Sequence, residues 1–146
     1  MSDSLIFRFD VQGNDFTSAG QASVQVKKNL RQLGFDSEII RRVSIAMYEG
    51  EINMVIHAGG GVAEVIVTEE YIEIVLEDKG PGIKEEEIKF LFNKFYQGDS
   101  SHKSEGNGLG LALVKRITDL YGGNIEVKNA QDCGAIFTVK LPFQAR

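Results

Sequence analysis

Val62-Ala63-Glu64-Val65-Ile66-Val67-Thr68, then Glu69-Glu70, then Tyr71-Ile72-Glu73-Ile74-Val75-Leu76-Glu77, and directly after it Asp78-Lys79-Gly80-Pro81-Gly82, is the stretch on which the fold turns. The two apolar runs are rich in β-branched residues and separated by two polar residues, which predicts two strands joined by a tight turn. The second run ends on a carboxylate and is then broken by Gly80-Pro81-Gly82. A carboxylate at a strand end accepts hydrogen bonds from an exocyclic amine, and the two glycines that follow it let the backbone approach a flat ring without a Cβ in the way. Adenine fits such a site. An ordinary Pro-Gly turn accounts for the three residues Gly80-Pro81-Gly82 equally well, but says nothing about Asp78.

Working back toward the N-terminus, Gly59-Gly60-Gly61 ends a long helix that Asp36 or Ser37 caps and that runs from about Glu38 to His57 or Ala58. Glu49, Asn53 and His57 recur on it at intervals of four, so they form one drifting stripe on one face. The stripe interrupts a helix carrying Ile45, Met47, Ile52, Met54, Val55 and Ile56. Read alone, it is a solvated face. Gly50 within it costs helix propensity of about 1 kcal/mol relative to Ala, which points to close packing against a neighbour. Before this helix, Thr17 to Leu33 carries Ala22, Val24, Val26, Leu30 and Leu33 near helical spacing with Gly34 as a stop, and Leu5 to Val11 reads as a strand.

Toward the C-terminus, Glu85 to Phe92 reads as a short helix and Asn93 to Asn107 as a mobile polar loop. Helical spacing returns through Leu109, Leu113, Ile117 and Leu120 until Gly122-Gly123, and Asn124 to Asn129 with Ala135 to Leu141 form a second hairpin. Gly106-Asn107-Gly108-Leu109-Gly110 stands where the loop meets that helix. Unpaired N–H groups and the helix dipole attract phosphate there, and glycines leave room for its oxygens. A flexible hinge is the bland alternative. No strand directly precedes the glycines, so this is not a dinucleotide fingerprint, and no Gly-x-x-x-x-Gly-Lys-Ser/Thr loop occurs.

The 146 residues fit one domain, 1–146, and 42% apolar with 25% charged residues is ordinary for a soluble globular chain. A net charge of −5 argues against nucleic acid or an anionic membrane as partner. Cys133 is alone, so no intramolecular disulfide forms, and no basic-then-apolar leader or run of 18 apolar residues occurs. A cytoplasmic protein is expected.

The order of the three clusters, a Glu/Asn helix, a hairpin ending in Asp-x-Gly-x-Gly, and a Gly-x-Gly-x-Gly opening a helix, resembles the nucleotide-binding domain of the GHKL (Bergerat-fold) ATPases from about Val43 to Leu141. The resemblance implies a two-layer α/β sandwich: a mixed, mostly antiparallel sheet of about five strands, helices on one face, and ATP held beneath a lid. It implies that Asn53 coordinates Mg²⁺, that Asp78 binds the adenine amino group, and that Gly80 and Gly82 shape the base pocket. Gly106, Gly108 and Gly110 would close over the phosphates, and Glu49 would be the catalytic base.

Within that superfamily, Glu49-x-x-x-Asn53-x-x-x-His57 resembles the small anti-sigma-factor serine/threonine kinases, as does a beginning with a strand and a helix. That likeness implies transfer of the ATP γ-phosphoryl group to a protein Ser or Thr, a sigma factor or antagonist-like regulator as partner, and a possible homodimer. Leu91 to Gly98 and Gly108 to Ile117 look more like the lid of a histidine kinase. Two alternatives therefore stand beside the serine kinase: a non-catalytic ATP-dependent partner-binding switch, and the ATP-binding half of a split histidine kinase.

Overall fold

The computed structural model describes residues 4–12, 20–57, 59–78, 80, 110–129 and 134–143. Eight elements follow in order: β1 (Leu5–Gln12), α1 (Gln21–Gln32), α2 (Ser37–His57), β2 (Gly60–Val67), β3 (Tyr71–Asp78), α3 (Gly110–Leu120), β4 (Asn124–Asn129) and β5 (Ala135–Pro142). The short helix expected over Glu85 to Phe92 and the loop from Asn93 to Asn107 lie outside the described residues.

The strands form one sheet in the order β1-β2-β3-β5-β4. The expectation of a mixed, mostly antiparallel sheet resolves into five strands whose four pairings are all antiparallel. The deciding hairpin closes through Thr68, whose N–H donates to the Tyr71 carbonyl at 3.0 Å. The Thr68 hydroxyl accepts from the N–H of Glu70 at 3.2 Å and of Tyr71 at 3.1 Å. One threonine thus satisfies the turn backbone that the sheet cannot reach.

Register aligns one face of every strand. Phe7 lies opposite Val65, Val65 opposite Ile74, Ile74 opposite Val139 and Val139 opposite Ile125. The helices cover this face, and Val26, Leu30, Val43, Met47, Ile72 and Ile74 are buried between the layers. Each such side chain contributes about 1.5–3 kcal/mol by leaving water. The opposite face carries Arg8, Glu64, Glu73, Lys140 and Glu126 along alternating positions, as an antiparallel sheet with one wet face requires.

Two helix stripes differ from the sequence reading. In α1 the buried line is Ala22, Val26 and Leu30, while Val24 is 57% exposed. In α3 it is Val114 and Thr118, while Leu113 and Leu120 face outward. Apolar residues on both sides of a short helix let more than one stripe satisfy the same period, and only the position of α2 chooses between them. Thr118 is tolerated in the core because its hydroxyl donates back to the Val114 carbonyl at 2.6 Å.

The end of α1 shows a further tertiary device. Its N-cap residue Gly20 offers no side-chain cap. Glu51, on α2 and only 3% exposed, accepts from the N–H of Ala22 at 3.1 Å and of Ser23 at 3.2 Å. A carboxylate from the neighbouring helix thus satisfies the free amides of the first turn and meets the positive end of its dipole. Among the described residues, no helix is long and apolar enough to cross a membrane.

Candidate functional site

The site forms where α2, the ends of β3 and β5, and α3 converge. Asp78 is the last residue of β3. Its Oδ1 accepts the N–H of Gly80 at 3.0 Å and of Ala135, at the start of β5, at 2.9 Å. Both bonds fall on one oxygen, which orients the carboxylate and leaves Oδ2 as an acceptor for a ligand donor. Gly80 therefore has a definite role: its amide helps to hold the acid that ends the strand.

Gly134 makes this arrangement possible. Its φ of +85° lies in the left-handed region, and a Cβ there would overlap the backbone carbonyl of Asp78 and come within 2.9 Å of its Oδ1. A side chain at 134 would push β5 off the end of β3. Neither Gly134 nor Ala135 was picked out by the sequence reading. The one available clue was a glycine at the start of a strand, because nothing in linear spacing ties Ala135 to a carboxylate 57 positions earlier.

Beside Asp78 lies a shallow recess that opens to solvent. Ala46, Gly50 and Met54 line it from α2, Leu76, Phe137, Val139 and Ile125 from the sheet, and Val114 from α3. Among the described residues that line it, Asp78 supplies the only charge. An apolar lining with one carboxylate at its rim has the chemistry that suits a flat apolar ring with one polar edge. The Gly50 reading holds, since a Cβ there would collide with the Leu76 Cδ1.

Ala46, Gly50 and Met54 recur every four residues along α2, and Glu49 and Asn53 each precede a member of that line by one. The predicted stripe is thus turned by about 100° from the cavity-facing one. The Glu49 side chain is half-buried, and burial pushes its carboxyl up from the ordinary value of 4.5. Asn53 and His57 belong to the last turns of α2, but their side chains lie outside the described residues. So do Gly82, Gly106 and Gly108, whereas Gly110 begins α3. Among the described site residues the fold brings together Asp78, Gly80 and the Glu49 turn of α2.

Residues 40–145 match the family model described as histidine kinase-, DNA gyrase B-, and HSP90-like ATPase. The chain is similar to the sensor histidine kinase YvrG of Bacillus subtilis, 30% identical over 89% of this chain and 23% of that one. It is also similar to the sensor histidine kinase component HK1 of Mycobacterium tuberculosis, 28% identical over 94% of this chain and 76% of that one. Among solved structures, full-length ShkA in complex with AMPPNP superposes with a TM-score of 0.58 at 26% identity, over 72% of this chain and 22% of that chain. The chain thus spans less than a quarter of YvrG and of ShkA, and about three quarters of HK1.

Proposed function

Because the chain belongs to the histidine kinase-, DNA gyrase B-, and HSP90-like ATPase family, we propose that it binds ATP and serves as the ATP-binding half of a histidine kinase, passing the γ-phosphoryl group to a histidine on a partner segment or chain. The observation that carries the nucleotide reading is the Asp78 carboxylate, held through one oxygen by Gly80 and Ala135 at the rim of an apolar recess. In this reading its other oxygen accepts from the adenine amino group. The histidine branch is supported by relatives named as sensor histidine kinases and by HK1, which is named as a component. It was the alternative, rather than the leading, reading of the sequence.

In this reading Asp78 selects the base and the Gly50–Leu76 contact sets the wall against which the ring lies. By the family resemblance Gly80 and Gly82 would shape the base pocket, and Gly106, Gly108 and Gly110 would close over the phosphates. Asn53 would hold Mg²⁺ through its amide oxygen, a donor suited to that hard cation, which would neutralise phosphate charge. Glu49 accepts the proton that the attacking group loses as the γ-phosphoryl group moves to it and ADP leaves. Its raised pKa brings it nearer the range in which a carboxylate works as a base. A cytoplasmic setting suits this chemistry.

A second reading rests on the Glu49-x-x-x-Asn53-x-x-x-His57 pattern: transfer to a protein Ser or Thr, as in anti-sigma-factor kinases. Labelled ATP, Mg²⁺ and a histidine-bearing dimerisation segment separate the two. Acid-labile, base-stable label on the acceptor supports histidine transfer, and acid-stable label on a serine or threonine of a regulator supports the other. Nucleotide-dependent partner binding with no labelled product indicates the non-catalytic switch. Calorimetry with Mg-ATP that finds no binding to the folded chain sinks all three.

A further inference from the structure

We propose that the free edge of β1 is a self-association surface, on which a second copy of this chain adds its own β1 antiparallel and makes the two sheets continuous. β1 ends the sheet, and among the described residues no strand pairs with its outer side. It is eight residues long, with Leu5 and Ile6 exposed, and Phe7 and Phe9 only partly buried although they pack against the core. Long apolar edges of this kind present unpaired N–H and C=O groups to any strand that fits.

The sequence of β1 specifies the fit. A two-fold axis between antiparallel neighbours keeps both helix layers on one side, so opposed residues must share a face. Centring the axis on Phe9 sets Phe9 against Phe9 of the second copy and Phe7 against Val11, both on the core face. On the wet face, Arg8 then meets Asp10 of the second copy, twice by symmetry. Moving the axis to Arg8 or to Asp10 opposes like charges instead. Arg8 is 63% exposed and pairs with Glu64 of its own sheet at 2.8 Å, which keeps its guanidinium on the wet face. The other edge, β4, is shorter, and Asn124 there bonds Glu126 at 3.2 Å. Short polar strands of that type resist edge pairing.

None of the described residues lining the recess comes from β1, so association and nucleotide binding are separable. Sedimentation velocity of the full chain over a concentration series should show a monomer–dimer equilibrium. Asp10→Arg opposes two arginine pairs and should raise the dimer Kd roughly tenfold or more, with unchanged circular dichroism and nucleotide affinity. The register is tested by cysteines on the wet face in a Cys133→Ser background. Opposed residues of antiparallel strands are about 4.5–5.5 Å apart at Cα, within disulfide range. Arg8→Cys mixed with Asp10→Cys should cross-link on mild oxidation, and neither should do so alone. A chain that stays monomeric at every concentration overturns the proposal and leaves the edge to a strand of another protein. A dimer indifferent to Asp10→Arg, or Arg8→Cys cross-linking to itself, overturns it as well.

Discussion

The backbone N–H of Ala135 donates to Oδ1 of Asp78 at 2.9 Å, joining the first residue of β5 to the last residue of β3 through a side chain rather than the ladder. The bond makes the acid part of the sheet end, so its orientation is settled before a ligand arrives. Asp78→Asn can keep the Oδ1 bonds while turning the ligand-facing acceptor into a donor. ATP affinity should fall by about 2–3 kcal/mol, roughly 30- to 150-fold, with little loss of stability. Calorimetry and a urea melt on one preparation check both halves.

Gly134→Ala tests the same junction from the other side. The left-handed φ alone costs about 1–2 kcal/mol for a residue with a Cβ, and the overlap with the Asp78 backbone adds to it. Stability and ATP affinity should drop together, because the strain falls on the residue that holds the base. A melt indistinguishable from wild type would show that the β5 start lies elsewhere.

Gly50→Ala should separate stability from binding. The helix gains about 1 kcal/mol in propensity, but the new Cβ displaces the Leu76 methyl, which lines the cavity. The midpoint in urea should move little while ATP affinity falls severalfold. Adding Leu76→Ala should restore room for the new methyl, and a double-mutant cycle would report the coupling.

Glu51→Ala removes the acceptor that α1 uses for its first two free amides. Leaving buried donors unsatisfied costs about 1–3 kcal/mol, read as a lower urea midpoint. Hydrogen exchange should quicken at Ala22 and Ser23 before it does so in β3.

Glu49 gives the stability curve a pH signature. Its pKa is raised in the folded state by burial, so the folded chain binds the proton more tightly than the unfolded one. The favourable contribution is complete below the unfolded value near 4.5 and is lost as pH rises through the folded value. Glu49→Gln should therefore match wild type at low pH and become the more stable protein toward neutrality, while phosphoryl transfer falls by about 10²- to 10⁴-fold. Equal transfer rates in the two proteins would remove Glu49 from the reaction.

Local pattern was enough for the elements among the described residues. Alternation over Val62 to Glu77 and the turn residues between the two runs made the hairpin legible, and glycine stops bounded the helices, because both signals act within a few residues. Asp78 was legible for the same reason: a carboxylate at the end of an apolar strand is out of place unless something needs it. Packing choices were not. Val24 and Val26 have the same chemistry, yet Val26 is fully buried in the core while Val24 is exposed, and that depends on where a second helix lies.

The amino-acid order by itself determined that strands, helices and three polar clusters occur in this succession, since hydrophobic period and turn chemistry are carried by neighbours in the chain. Tertiary structure alone decided that Ala135 steadies Asp78, that Glu51 caps α1, and that Gly50 yields to Leu76. Each of these joins residues far apart in sequence, and a hydrogen bond or a steric contact exists only once the sheet order and helix packing have brought its two sides together.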